Sequence, residues 1–231
     1  MMSEFLRVIG VAGLCVVCCA GCGQSADVAP DPTVVESSTV AELPVVVVGD
    51  TADNGLANKL KFKAGSGESL FSVKPQDDGA KLVDADEQET ARFNVSGSKL
   101  KIKGADDVVL GYIVASDGKF KIKNADQSKE LWKLQRQDDG DWKLEDANDK
   151  LFCKIKRRDY GFEIEDDSEN SQSKIKVKDG KTSLRDSSDT TILYTKDQVS
   201  PIAFACMGLN PIHEEPLRAA LMTMLIINRA R

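Results

Sequence analysis

The stretch Lys119-Phe120-Lys121-Ile122-Lys123-Asn124-Ala125-Asp126 decides the fold. In an extended chain successive side chains point to opposite faces. Phe120 and Ile122 therefore share one face, and Lys119, Lys121 and Lys123 the other. Asn124-Ala125-Asp126 ends the strand with short side chains that bond to their own backbone. The phrase recurs as Lys61-Phe62-Lys63-Ala64-Gly65, Lys81-Leu82-Val83-Asp84-Ala85-Asp86, Lys101-Ile102-Lys103-Gly104-Ala105-Asp106 and Lys143-Leu144-Glu145-Asp146-Ala147-Asn148. Weaker copies are Glu163-Ile164-Glu165-Asp166-Asp167 and Ser183-Leu184-Arg185-Asp186-Ser187. The fourth positions fall at 64, 84, 104, 124, 146, 166 and 186, in steps of 20, 20, 20, 22, 20 and 20. Such a period sets the architecture before any local feature does.

Each copy holds two alternating stretches separated by turn chemistry, such as Asp117-Gly118, Asp138-Asp139-Gly140 and Asp179-Gly180. The connections are too short for parallel crossovers, which need a dozen or more residues. The unit is a β-hairpin, and the array is an antiparallel meander of about 12–14 strands. Its apolar face must be hidden, and closure into a barrel does this while removing the sheet edges. Leu217–Ile227 is apolar around most of its circumference, which marks a buried helix. Asn210, Pro211, Glu214, Glu215 and Pro216 suit its start, and Arg229 and Arg231 its end. The reading is a mainly β fold: a meander closed into a barrel around a hydrophobic C-terminal helix. Trp132, Trp142, Phe120 and Phe162 are expected in its core.

The chain has 231 residues, with 31 Lys+Arg against 37 Asp+Glu and a net charge of −6. That balance excludes a multi-span membrane protein and disorder throughout, and argues against nucleic acid as a partner. The one histidine, His213, leaves little room for imidazole chemistry. No nucleophile elbow, phosphate loop, paired CxxC or zinc-protease motif occurs, so no cofactor or metal is expected. The Asp84-x-Asp86, Asn124-x-Asp126 and Asp146-x-Asn148 tips lack the glycine and glutamate of a calcium loop and read as turn residues.

Residues 1–21 read as an export signal. Arg7 precedes an apolar stretch, Val8–Cys19, that is too short to span a bilayer. It ends in Cys19-Ala20-Gly21-Cys22, which resembles a bacterial lipobox, with Cys19 standing where that family prefers leucine. The resemblance implies diacylation of Cys22 and an exported, membrane-anchored protein facing the periplasm or the cell surface. The plainer alternative is an ordinary signal peptide. Residues 22–56 would form the lipidated terminus and a flexible tether, with Val45–Val48 as a candidate edge strand. Residues 57–231 would form the barrel. Two cysteines then remain in it, Cys153 and Cys206. In an exported chain they could pair, or both could be buried thiols, and Cys153 shares a strand face with Leu151 and Ile155.

The hairpin phrases, Phe71-Ser72-Val73 with Lys81–Asp86 among them, and the terminal Pro216-Leu217-Arg218-Ala219-Ala220-Leu221 helix resemble the tubby C-terminal-like superfamily. That group includes the LURP-one-related proteins and the phospholipid scramblases. The resemblance implies a closed antiparallel barrel around a hydrophobic helix and a non-enzymatic, membrane-associated role. No ligand residue of the family carries over.

Lys101, Lys103, Lys119, Lys121, Lys123, Lys174, Lys176 and Lys178 alternate along their strands. Aligned on neighbouring strands they would form a basic surface for anionic lipid or envelope glycan. The plainer reading is a solvated outer face. The expectation is a lipid-anchored binding or structural module of the bacterial cell envelope. The alternative is an envelope hydrolase with a carboxylate-based site.

Overall fold

The structure is a computed structural model and describes residues 56–229. The lipobox with Cys22, the tether and Val45–Val48 lie outside the described residues. Fourteen strands follow in chain order: β1 Leu60–Ala64, β2 Ser69–Gln76, β3 Gly79–Asp84, β4 Glu89–Ser96, β5 Lys99–Gly104, β6 Val109–Ser116, β7 Lys119–Lys123, β8 Glu130–Arg136, β9 Trp142–Asp146, β10 Leu151–Arg158, β11 Gly161–Asp166, β12 Ser171–Lys178, β13 Lys181–Asp186 and β14 Thr191–Thr195. Each pairs with the next, and β14 pairs with β1 through Lys63–Tyr194 and Ala64–Leu193, closing the barrel.

The two rims use different turns. At the upper rim, Asp117-Gly118 and Asp179-Gly180 both have positive φ (39° and 75°, 52° and 69°). Paired positive φ values belong to the hairpin turns whose twist matches the strands. At the lower rim a left-handed residue recurs at Gly67, Glu87, Asp107, Gln127, Asp149, Glu169 and Asp189, again in steps of 20, 20, 20, 22, 20 and 20. The acidic tips expected to be turn residues hold these loops. Asp84 Oδ1 accepts from the N–H groups of Asp86 and Gln88, and Asp146 and Asp166 repeat the arrangement.

Each lower hairpin also carries a β-bulge, which strict alternation does not anticipate. Phe62 pairs with Phe71 and Lys63 with Ser69, so Leu70 is skipped; Thr90, Leu110, Leu131, Phe152, Gln172 and Ile192 are skipped in the same way. A bulge re-aims the side chains around it. It also corrects the expectation that Leu151 and Cys153 share a face by simple alternation. Cys153 is buried and Leu151 only half-buried, with the bulge between them.

Inward residues such as Phe62, Phe93, Ile102, Ile113, Ile122, Leu134, Leu144 and Ile155 have no solvent exposure. They pack on a plug of two helices rather than one. The segment α1, Pro201–Ala205, runs on as a 3₁₀ turn through Gly208 and packs on β11, β12 and β13. The helix α2, Glu215–Arg229, returns against β3 to β7. Leu217, Ala219–Thr223, Met224 and Leu225 are all buried. Ala203, Ala205, Ala219 and Ala220 are small and fully buried, which suits two helices sharing one lumen. Thr223 donates its hydroxyl hydrogen to the Ala219 carbonyl (2.8 Å), so its burial leaves no donor unmatched.

Candidate functional site

The lumen is occupied, so the candidate sites lie at the rims. The larger recess, about 1050 Å³, opens at the upper rim among the β6–β7, β8–β9, β10–β11 and helix ends. Phe120, Trp142 and Phe162 line it, with Phe120 and Trp142 ring centroids 6.0 Å apart. Its arginines divide into two kinds. Arg158 is bound to Glu163 (2.9 Å) and Glu165 (2.8 Å). Arg136 and Arg157 make no side-chain ion pair among the described residues, and both are exposed. Asp117 and Asp159 line the same recess, so its charge is mixed.

The smaller recess, about 500 Å³, is a slot at the lower rim between the wall and the segment joining the plug helices. Trp132, Phe152, Cys153 and Ile164 come from the wall, and Gly208, Asn210, Pro211 and His213 from the connection. Trp132 meets Phe152 edge to face, centroids 4.9 Å apart at 85°. Phe152 reaches the slot because it is a bulge residue. Trp132, expected in the core, is half-buried and borders the slot instead. Gly208 keeps the connection close to the wall. A Cβ there would lie 2.8 Å from both Ile164 Cδ1 and Leu184 Cδ1.

Nucleophilic chemistry finds little support in the slot. Burial pushes the Cys153 thiol up to about 12, whereas a reactive cysteine needs its thiolate near neutral pH. Cys206 is buried and pushed up as well, and both cysteines are free in the structure. The lower slot has His213 at its edge, with no hydrogen-bond partner among the described residues.

The outer wall binds its carboxylates. Burial pushes Glu145 up, but hydrogen bonds from Lys143 and Lys133 outweigh it and hold the carboxyl below its usual range. Burial likewise opposes Glu163, whose bonds from Ser171 and Arg158 hold it down. Carboxylates so held are ionised bases with bound partners, whereas an acid–base pair needs one member raised. Glu215 is raised by burial, and it stands at the start of α2. Among the described residues no group of three or more His, Cys, Asp or Glu is placed to hold a metal.

The lysines of the expected basic surface fall on two separate parts of the wall. Lys101 (β5) and Lys123 (β7) flank Tyr112 in one row across β6, and Lys103, Lys119 and Lys121 lie on the same two strands. Lys174, Lys176 and Lys178 are on β12, five strands beyond β7. Lys103 pairs with Asp107 (3.2 Å), Lys121 with Glu130 (2.8 Å) and Lys176 with Asp189 (2.7 Å). Around β12 the row reads Arg185, Lys174, Glu163, Lys156, so Glu163 stands between Lys174 and Lys156 while Arg185 and Lys174 are like-charged neighbours.

Sequence reasoning missed α1 and the slot. The signal for α1 was present in Ser200-Pro201 followed by the apolar run Ile202–Met207, since proline suits a first helical turn. No family model matches the chain, and no curated protein matches it. Among solved structures, an X-ray structure of a protein from Arabidopsis thaliana is similar to it. That likeness has 9% identity and a TM-score of 0.37, covering 71% of this chain and 96% of the other, and at that level it carries no argument about function.

Proposed function

We propose that the chain is a lipid-anchored, non-enzymatic binding module of the bacterial cell envelope, built on a tubby-like barrel and held by diacylated Cys22. The observation that carries the binding reading is the occupied lumen: the chain fills its own barrel with α1 and α2, and the two recesses described above lie at the rims. A hollow carrier would need that interior for cargo. A hydrolase would need a raised acid beside an ionised base; Glu145 and Glu163 are both held low by bound partners, and the charge acting on the raised Glu215 is that of Arg218, a cation. The anchor reading rests on Cys19-Ala20-Gly21-Cys22 and the polar residues after it.

Detergent phase separation of the chain expressed in a bacterial host tests the anchor. The wild type should enter the detergent phase with a mass increase on Cys22, and Cys22→Ala should move to the aqueous phase. A Cys22→Ala variant that partitions unchanged rejects lipid anchoring.

A further inference from the structure

The lower-rim slot has a chemical character of its own. Its walls are aromatic and aliphatic, and its size falls within the usual range for small-molecule sites. Among the described residues neither lysine nor arginine lines it, and the charge at its edge is Asp166. That carboxyl is held below its usual range by N–H groups of Asn170 first, with Ser168 and Gln172 adding to the effect, so it stays ionised. Gln172 Nε2 donates to Asp166 Oδ2 at 2.8 Å, which leaves the Gln172 carbonyl oxygen as a free acceptor at the edge.

A second observation concerns the aromatic pair. The Lys150 ammonium stands 5.0 Å from the Phe152 ring centroid. This ring thus already takes a cation over its face, as the negative face of an aromatic quadrupole favours. An anion entering the slot would meet the Asp166 carboxylate in its lining, whereas Lys150, over the Phe152 ring, is not among the lining residues. A neutral apolar molecule would gain burial but leave the ring faces and the carboxylate unused.

We infer that the slot binds a small organic cation with an apolar body, a protonated or quaternary amine. The body lies against Ile164 and Pro211, and the charge is met by the Trp132 ring, the Gln172 carbonyl oxygen and Asp166. This names a ligand class for the binding module proposed above and rests on that reading. It is independent of the lipid anchor.

The test is isothermal titration of the full chain with benzyltrimethylammonium, benzyl alcohol and benzoate. The ammonium should bind saturably at one site, the alcohol at least tenfold more weakly, and benzoate should give no saturable heat. Trp132→Ala should abolish ammonium binding. Gln172 is exposed, so Gln172→Lys should keep the fold while placing a positive charge at the edge, and should weaken the ammonium at least tenfold. Comparable binding of all three probes, no saturable ammonium binding, or unchanged affinity in Gln172→Lys overturns the inference. None of these outcomes alters the partitioning of Cys22→Ala, so failure here and failure of the anchor are read separately.

Discussion

Lys133 and Glu145 are direct partners across β8 and β9, with Nζ 2.9 Å from Oε2 and side chains only 15% and 8% exposed. Lys143 takes the other oxygen of Glu145 at 2.7 Å, and Lys133 also contacts Asp149. A lysine so placed differs from a free surface lysine. Lys133→Met should cost about 1–2 kcal/mol, between the 0–1 of an exposed pair and the 3–5 of a broken buried one. Denaturant unfolding measures it. A cost indistinguishable from that of Lys101→Met, which breaks no ion pair among the described residues, would show that the network adds nothing.

The facing of the wall predicts unequal costs for neighbours in sequence. Ile122 is fully buried, and Ile122→Ala should cost about 2–5 kcal/mol. Lys121 is 43% exposed and paired with Glu130, and Lys121→Ala should change stability by no more than about 1 kcal/mol. Equal midpoint shifts in urea for the two variants would contradict the assigned faces.

Gly208 holds the plug connection against the wall. In Gly208→Ala the new methyl meets Ile164 and Leu184, and overpacking of this kind costs about 1–3 kcal/mol. Thermal melting of Gly208→Ala beside Gly97→Ala separates packing from loop effects. At Gly97 a Cβ meets nothing within 4 Å, though φ is +58°. A smaller loss at 208 than at 97 would mean the connection can move away from the wall.

Stability should form a plateau in pH with a cause at each end. Hydrogen bonds from Lys59 and Lys74 hold Glu87 at about 2, and Glu145 and Glu163 are also held below 4.5. Depressed acids contribute stability above their unfolded values and lose it as pH falls through the folded ones, so the acid decline should run from about 4.5 toward 2. On the alkaline side burial raises Cys153 from 9.0 to about 12, and that contribution is present below 9.0 and lost as pH rises toward 12. Lys133, raised above 10.5 by Asp149 and Glu145, adds a loss that begins above 10.5. Melting temperature against pH should therefore fall above 9, and Cys153→Ala should lessen that first part of the slope, with the buried Cys206 thiol, also raised, keeping the remainder. An unchanged slope in the variant would argue against a buried neutral thiol.

How much of this was legible depends on what each residue had to reveal. The twenty-residue step gave the strand count and the order of pairing, because every hairpin repeats the same turn chemistry around 84, 104 and 124. The two-residue excess at 146 is one added residue in the β7–β8 turn and one in the β8–β9 loop. Bulges were hidden, because a skipped Leu70 or Phe152 reads as one more member of an apolar stretch. The slot was hidden for the same reason, since it is assembled from a bulge residue and a connection that meet only in the closed barrel. Cys153 shows the limit from the other side: its burial was read correctly, but the parity argument for it fails at Phe152.

The plug follows the strands in chain order, and β14, which closes the seam with β1, immediately precedes it. During synthesis thirteen strands are therefore complete before their seam partner exists, and all fourteen before the element that fills them. Closing the seam brings residues 63 and 194 together, a long-range contact of the kind that slows folding. A chain that ends before Glu215 would have the strands but lack the buried face of α2, leaving inward apolar residues and open strand edges exposed together. Such species aggregate. The order of the elements thus makes this fifteen-residue helix a checkpoint for the integrity of the fourteen strands made before it.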